Sequence, residues 1–368
     1  MKWGYRDESK KISKAVIANK STENLLVIRD FLKGILELRK SEKLEKTYIH
    51  GTKKAMEYNE ENKVYMDYKF DGTSTGRLSC AAYNAQKSMG VSFHTLPRET
   101  KYNIRSFFVA PKDHAFITVD YSAMELRVLA HVAKDGNMQQ AFQNGEDLHT
   151  YTARMLFNKS KISKQERQIA KTVSFLIVYG GGAFNLSETM SISLQRAEKI
   201  IKNYKNVYPA VFEFMDFVNE FIKYNKYAYT IFGRRRNLLD VDSRDRQVVN
   251  RALRQGLNFT IQSTASDILL CSLLGINKRF SDAGMGARVV ATVHDSVEII
   301  SPHSEVEKTC EIVYDEMVNY PFIRNNFNIL LDVPLEIEIL IGKSFGDGEE
   351  AILKNGKLVN YDDIMQKI

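Results

Sequence analysis

Two apolar stretches that each end in an aspartate give the clearest strand predictions in this chain. Residues 116–119 lead directly into Asp120, and residues 289–293 lead through one histidine into Asp295. Short runs rich in β-branched and aromatic residues are typical of buried strands. A carboxylate at the end of a buried strand is costly unless a cation meets it. Two such carboxylates, brought together, predict a site for a pair of divalent metal ions.

Helical periodicity dominates most of the remaining chain. Asp147 carries a helix-start signal, and Ser163 begins a capping box. Apolar residues repeat at helical spacing over about 8–50 (two helices), 147–153, 163–180, 193–228, 244–278 and 305–319. Besides the two opening stretches, strands are predicted over 64–70 and 333–341, a short strand and turn over 229–236, and a hairpin over 289–300.

Two further stretches are predicted to contribute to the core. The many aromatic residues of 193–228 are interpreted as core residues and not as a stacking platform. Residues 88–115 are expected to form a loop that leads into a strand pair. The core residues expected there are Ile104, Phe107, Phe108 and Val109.

The helix predicted over 163–180 carries an unusual stripe, Arg167, Lys171, Phe175 and Tyr179. Steps of four residues keep side chains on one helix face. Two cations followed by two rings match a triphosphate followed by a sugar and a base. The alternative is an ordinary amphipathic helix whose cationic side chains extend into solvent.

Three other polar sets suit contacts with nucleic acid. Arg254, Asn258 and Gln262 also step by four, and such a stripe suits hydrogen bonds to a groove. Three arginines, 234–236, follow a glycine, where a solvated turn is the alternative to phosphate contact. The third set follows a glycine- and serine-rich turn and comprises Arg77, Ser79, Asn84, Gln86 and Lys87.

Composition narrows the class of protein without identifying it. The 368 residues are 44% hydrophobic and 26% charged, which supports one large domain or two to three lobes. A net charge of +7 is compatible with a polyanionic partner. The three cysteines form no disulfide or zinc pattern, which indicates a reducing compartment. The sequence predicts no signal peptide and no apolar run that spans a membrane.

In order and spacing, these segments resemble the polymerase domain of the DNA polymerase I family (family A). The resemblance covers most of residues 30–345. The matching segments are Thr75-Gly-Arg-Leu-Ser79, Asp120-Tyr-Ser-Ala-Met-Glu-Leu-Arg127, Asp147-Leu-His149, the stripe that ends in Tyr179-Gly180, Phe232-Gly-Arg-Arg-Arg236, the Arg254 set and Val293-His-Asp295.

The resemblance implies an α+β right-hand fold with an antiparallel palm sheet, helical fingers and a reduced helical thumb. The expected domains are a reduced thumb (1–62), a first part of the palm with Asp120 (63–150), fingers (151–285), and a second part of the palm with Asp295 and a C-terminal tail (286–368). The expected thumb is short and no exonuclease domain is predicted. The start at Met1 suggests a natural short polymerase, or a split enzyme that needs a second chain.

The implied activity is template-directed addition of deoxynucleotides to a primer 3′-hydroxyl by two-metal transfer, without proofreading. Asp120, Asp295 and the Tyr121 carbonyl would bind two Mg²⁺ ions, with Mn²⁺ as an alternative, and Lys171 would also protonate the leaving pyrophosphate. The implied deoxynucleoside triphosphate site comprises His149, Arg167, Lys171, Phe175, Tyr179 and Glu125, the last closing the 2′ side of the sugar. The implied contacts to primer–template DNA are Arg77, Asn84, Gln86, Arg254, Asn258, Gln262, His294, Arg234 and Arg235.

Several positions depart from the family pattern while leaving the aspartate pair intact. They are Ala123 for the usual Gln, Ser174 for Asn, Leu176 for Gly, Lys87 for Asn and Ser296 for Glu. The alternative functions are a subunit that needs a partner chain, a weakly catalytic DNA-binding module, and a single-subunit RNA polymerase. Glu125 and Phe175 argue against the RNA polymerase. The expected location is the cytoplasm of a bacterial or phage-infected cell, with an organelle as the alternative.

Overall fold

The computed structural model describes residues 23–59, 62–84, 90–97 and 103–368. They divide into two compact units. The first contains described residues up to Tyr68 and from Cys80 to Leu96, and the second contains Lys69–Ser79 and everything from Pro97 onward. The helix predicted before residue 20 lies outside the described residues.

The first unit combines one long helical segment with a short sheet. Helix α1 (Glu23–Lys43) continues through a π-helical segment (Leu44–Ile49) into α2 (His50–Asn59), so the helical pattern extends further than predicted. Strand β1 (Met66–Lys69) pairs with β2 (Ser79–Ala82), which confirms the strand predicted over 64–70 with narrower bounds.

Most of the second unit is helical, and the apolar faces of its helices share one buried core with the sheet. Its α-helices are α3 (Met124–Ala133), α4 (Gly136–Gln143), α5 (Leu148–Phe157), α6 (Lys164–Val178), α7 (Ala183–Met190), α8 (Leu194–Val207), α9 (Pro209–Asn225), α10 (Arg246–Asn258), α11 (Thr264–Asp282), α12 (Val306–Tyr314), α13 (Pro321–Phe327) and α14 (Tyr361–Met365). Two π-helical segments, Phe259–Ser263 and Asp315–Asn319, extend α10 and α12.

The functional residues are organised by a five-stranded antiparallel sheet of order β6-β7-β3-β8-β9. The strands of the second unit are β3 (His114–Tyr121), β4 (Tyr227–Tyr229), β5 (Arg235–Asn237), β6 (Arg288–Val293), β7 (Ser296–Pro302), β8 (Ile337–Ser344), β9 (Asp347–Glu350), β10 (Leu353–Lys354) and β11 (Lys357–Leu358). β3 lies between β7 and β8, and the apolar run that predicted it is buried. The predicted strand before Asp120 and the hairpin around Asp295 are therefore confirmed.

Three predictions about burial or bounds were wrong. Phe107 is 61% and Val109 63% exposed, so neither is a core residue, and residues 104–107 form a 3-10 turn instead of a strand. Phe217 is 61% and Tyr224 87% exposed, because α9 carries more aromatic residues than one helix face can bury. The strand predicted over 333–341 begins later, at Ile337, after a proline that cannot donate to a strand ladder.

One helical span in the described part of the chain, Arg246–Asp282, is long and apolar enough to cross a membrane by length and composition. However, 78% of its most apolar window is buried inside the protein. A mostly buried core helix of a soluble protein meets the same criteria, so this span is weak evidence for a membrane segment.

Candidate active site

The two predicted catalytic aspartates lie beside each other in the sheet, Asp120 near the end of β3 and Asp295 in the turn between β6 and β7. Asp120 stands opposite Ser296 in the β3–β7 register, and Asp295 immediately precedes Ser296 in the turn after β6. The Tyr121 backbone amide donates to the Asp295 carbonyl at 3.4 Å. His294 adopts a positive φ of 60°, which lets the chain reverse between the strands in two residues. The fold thus brings both aspartates to the same end of the sheet.

Glu125, in the first turn of α3, is the centre of a hydrogen-bond network. Its side chain is almost fully buried, and the residue is 5% exposed. Arg77 Nη2 donates to Glu125 Oε1 at 2.8 Å, and Gln262 Nε2 donates to the same oxygen at 3.1 Å. The Tyr179 hydroxyl donates to Oε2 at 2.9 Å. A buried carboxylate needs such donors, and here they hold it in one orientation.

Arg77 connects this network to the aspartate pair. Its Nη2 lies 3.0 Å from Asp295 Oδ1 as well as 2.8 Å from Glu125 Oε1. The sequence predicted a cation beside this carboxylate. In this structure that cation is the guanidinium of Arg77. A divalent ion at Asp295 would compete with Arg77 for that oxygen.

The loop before Arg77 is fixed by contacts that only glycine permits. Gly76 has a φ of +68°, and a Cβ atom there would lie 1.5 Å from Arg234 Nη1. The hydroxyls of Ser263 and Ser266 donate to the carbonyls of Thr75 and Gly76 at 2.6 and 3.1 Å. These contacts explain the Thr-Gly-Arg spacing, because they set the position from which Arg77 reaches Glu125.

Helix α6 carries the stripe defined by Arg167, Lys171, Phe175 and Tyr179. Its start is confirmed as a capping box between Ser163 and Glu166, and Tyr179 is its C-cap. Arg167 and Lys171 are exposed, whereas Phe175 is half-buried. The rings of Phe175 and Tyr179 are 6.5 Å apart and nearly parallel, at 19°. The rings thus adjoin the Glu125 network.

Asp147 holds Arg167 through a bidentate contact that the sequence did not reveal. Arg167 Nε and Nη2 donate to the two Asp147 oxygens, each at 2.8 Å. Asp147 also accepts from the Thr150 amide as the N-cap of α5, as predicted. Burial raises the pKa of Asp147, but the hydrogen bonds from Arg167 and Thr150 outweigh it and hold that pKa well below its usual range. A phosphate bound by Arg167 would have to replace this carboxylate.

Comparison with known proteins identifies the family. A family model described as DNA polymerase family A matches residues 2–347. This chain belongs to DNA polymerase family A. It is 32% identical over 346 residues to DNA polymerase I of Treponema pallidum, covering 94% of the chain and 32% of that protein. It is 30% identical over 347 residues to the thermostable DNA polymerase I of Thermus filiformis, covering 93% and 39%. The chain thus spans about a third of the length of these relatives.

A solved structure gives the same result for the fold. The POL domain of Pol1 from M. smegmatis, in complex with DNA primer-template and dNTP, aligns with a TM-score of 0.79 at 26% identity. The alignment covers 91% of this chain and 56% of that one. The predicted α+β right-hand fold is confirmed for this family A chain.

His149 of this family A chain is buried beside the stripe. The residue is 7% exposed, its ring lies 5.8 Å from that of Phe175, and its Nδ1 atom has no hydrogen-bond partner. Its pKa is lowered to about 4, chiefly by burial; the positive charges of Arg167 and Lys171 contribute to the lowering, and the negative charge of Asp147 opposes it. His149 is therefore neutral at pH 7, with a ring nitrogen left for a polar ligand.

The buried His149 should make stability depend on pH. Between pH 6.5 and about 4, the unfolded state binds a proton that the folded state excludes, so stability falls as pH falls through this window. When the pH is lowered from 7 to 5, we expect the free energy of unfolding to fall by about 2 kcal/mol less in His149→Gln than in the parent chain. Denaturant unfolding at both pH values measures this difference. Equal losses in the two proteins would contradict it.

The other predicted DNA-contact residues fall into separate environments. Arg254 is exposed beside Gly180, while Gln262 is buried and donates to Glu125. Asn258 has a buried Oδ1 without a partner. Asn84 belongs to the first unit, and Gln86 lies outside the described residues.

Arg234 forms an ion pair inside the protein. Its Nη2 pairs with Asp267 Oδ1 at 2.8 Å and lies 3.2 Å from the Ser263 carbonyl, so its guanidinium stabilises the fold. Phosphate binding by Arg234 would have to replace this ion pair, as it would for Arg167 and Asp147. Arg235 is exposed and stacks on Tyr227 at 4.7 Å, so it stays a candidate. The sequence could not show which of the two arginines is held by an ion pair, because Asp267, the partner of Arg234, is distant along the chain.

The donor set fits divalent ions. Among the described residues no group of three or more His, Cys, Asp or Glu side chains could hold a metal ion. Two carboxylates and the Tyr121 carbonyl suffice for Mg²⁺, which usually takes one or two carboxylates together with waters and substrate phosphates. The cationic Arg77 at Asp295 shows that the site accepts positive charge.

Proposed function

We propose that this chain is a template-directed DNA polymerase that adds deoxynucleotides to a primer 3′-hydroxyl. The observation that carries the proposal is the adjacency of Asp120 and Asp295, with Asp295 linked through Arg77 and Glu125 to Tyr179 at the end of the α6 stripe. The names of the relatives and the ligands of the M. smegmatis structure support it. Because the chain spans about a third of these relatives, the activity is proposed for this part alone.

In this proposal Asp120, Asp295 and the Tyr121 carbonyl hold two Mg²⁺ ions, for which Mn²⁺ can substitute. When bound, such ions activate the attacking hydroxyl and stabilise charge on the attacking and leaving oxygens. In this proposal Arg77 withdraws from Asp295 to contact the primer–template.

The stripe on α6 binds the triphosphate. Arg167 exchanges Asp147 for phosphate oxygens, which a guanidinium can bind in the same bidentate geometry. Lys171, exposed one turn further on, neutralises the phosphates and donates a proton to the departing pyrophosphate. His149 offers its unpaired Nδ1 as a hydrogen-bond partner to the phosphates. Phe175 packs against the sugar and base.

Tyr179 and Glu125 together define the sugar pocket. The hydrogen bond between them closes one side of the space above Phe175, so a 2′-hydroxyl would meet a buried, fully oriented carboxylate. Tyr179 covers the nascent pair. This arrangement favours deoxynucleotides over ribonucleotides.

The proposed DNA surface follows from the same layout. It comprises Arg77, Arg254, Asn258, Gln262, His294, Arg234 and Arg235, with Asn84 and Gln86 as further candidates. We also propose the palm (63–150 and 286–368), fingers (151–285) and thumb (1–62) boundaries, a second chain supplying thumb or exonuclease, and a cytoplasmic location.

Primer extension by the purified chain tests the proposal. With a primed template and Mg²⁺ we expect extension with deoxynucleotides at least about 10²-fold more efficient than with ribonucleotides, and none after chelation. Faster ribonucleotide use would instead indicate an RNA polymerase. DNA binding without any extension would favour the binding-module alternative, and extension only after a cell extract is added would favour the split enzyme.

A further inference from the structure

Glu298 is a fully buried acid on the strand that follows Asp295. It stands in β7 with 0% exposure, opposite Thr118 of β3. Two residues away, Ser296 stands opposite Asp120. Because side chains at positions i and i+2 of a strand share a face, Thr118, Asp120, Ser296 and Glu298 form a square on one face of the sheet.

Two hydroxyls hold this carboxylate in place. Thr118 Oγ1 donates to Glu298 Oε2 at 2.6 Å, and Ser296 Oγ lies 2.7 Å from Oε1. Ser296 Oγ is also 3.0 Å from the Val293 carbonyl, so it sits at the base of the turn that presents Asp295. Each oxygen of Glu298 is thus tied to a residue one or two positions from a proposed metal ligand.

Glu298 is close enough to the candidate site to be affected by the charge of Asp120. Its pKa is raised to about 7, chiefly by burial; the negative charge of Asp120 adds to the rise, and the two hydroxyl donors and Arg105 oppose it. Asp120 and Glu298 therefore interact electrostatically.

We propose that Glu298 is a positioning residue for the Asp120–Asp295 pair: its carboxylate braces the two strands through Thr118 and Ser296 and adds negative charge behind the metal site. This inference rests on the proposed polymerase function. The bracing fixes the separation of two carboxylates that must hold ions at a set spacing, and the added charge favours a bound cation.

The variant Glu298→Gln tests the inference, because it removes the charge and keeps the size. Outer-shell groups of metal sites typically contribute 10-fold or more to affinity or activity. In mildly alkaline buffer we expect about 10-fold weaker Mn²⁺ binding by titration calorimetry and a kcat about 10-fold lower, with KM for the deoxynucleotide changed less than about 2-fold.

The matched control is Glu316→Gln, since Glu316 is another buried glutamate, 3% exposed, that accepts a hydrogen bond from the Phe322 amide. We expect it to change Mn²⁺ affinity and kcat by less than about 2-fold, whatever it does to melting temperature. If Glu298→Gln lowers only the melting temperature, or matches the control in Mn²⁺ affinity and kcat, the inference is overturned.

Two milder variants keep the test decisive if Glu298→Gln does not fold. Thr118→Val and Ser296→Ala each remove one hydroxyl donor, and each should weaken Mn²⁺ binding by about 3-fold. Unchanged Mn²⁺ binding in both would overturn the inference. Mn²⁺ binding is read without catalysis, so failure of the unmodified chain to extend a primer would count against the proposed function and not against this inference.

Discussion

Asp120→Asn is expected to lower kcat for primer extension by about 10³-fold or more. An asparagine has the same shape but no charge, so it cannot balance a divalent ion beside Asp295. A loss of about 4 kcal/mol of transition-state stabilisation corresponds to this factor. Rapid-quench primer extension measures kcat directly, and fluorescence anisotropy with labelled primer–template measures binding. We expect DNA affinity to change by less than about 3-fold, because Asp120 is proposed as a metal ligand and not as a DNA contact.

The matched control for this variant is Asp113→Asn, which makes the same chemical change just before the other end of β3. Asp113 is exposed and has a φ of 60°, a conformation that asparagine also adopts. Its extension rate should equal that of the parent chain. An Asp120→Asn protein that retained a tenth or more of the parent rate would refute the two-carboxylate mechanism.

The features that could be predicted from the sequence are those set by near neighbours along the chain. The capping box at Ser163, the N-cap at Asp147 and the two-residue turn at His294–Asp295 depend on hydrogen bonds spanning a few residues, so local patterns contain them. The strand before Asp120 was predictable because its apolar residues are contiguous in the sequence. The structure buries this run between β7 and β8.

Partners distant in sequence could not be predicted in this way. Arg77 with Glu125, Arg167 with Asp147 and Arg234 with Asp267 are ion pairs created by tertiary packing, which no periodicity encodes. Two of the arginines that were expected to meet phosphate, Arg167 and Arg234, meet aspartates in this structure. The Arg234–Asp267 pair stabilises the fold. In the Arg167–Asp147 pair, the carboxylate occupies the position proposed for a phosphate.

A local irregularity also altered the predicted stripe of Arg254, Asn258 and Gln262. The helix passes into a π-helical segment at Phe259, where the angular step per residue is smaller than in an α-helix. Gln262 is consequently buried against Glu125, while Arg254 stays exposed. The prediction of one continuous polar face assumed regular helical geometry, and such segments often occur at functional sites.

Glu125→Ala is expected to reduce the preference for deoxynucleotides over ribonucleotides by about 10²-fold in kcat/KM. The structure gives the reason, because three donors hold this carboxylate in a single orientation and leave it little freedom to accommodate a 2′-hydroxyl. Removing the side chain opens that space and releases Tyr179. Discrimination should fall mainly because ribonucleotide use rises, and deoxynucleotide use should drop by less than about 10-fold.

Two further variants separate the shape of Glu125 from its charge. Glu125→Gln keeps the volume, so it should retain most of the sugar preference while losing the ion pair with Arg77. Glu307→Ala removes an exposed first-turn glutamate from α12 and should leave the preference unchanged. Single-nucleotide incorporation with paired deoxy and ribo substrates measures all three. If Glu125→Ala kept the parent preference, selection of the sugar would have to be assigned to another group, and the nearest candidate is Phe175, whose ring is stacked with that of Tyr179.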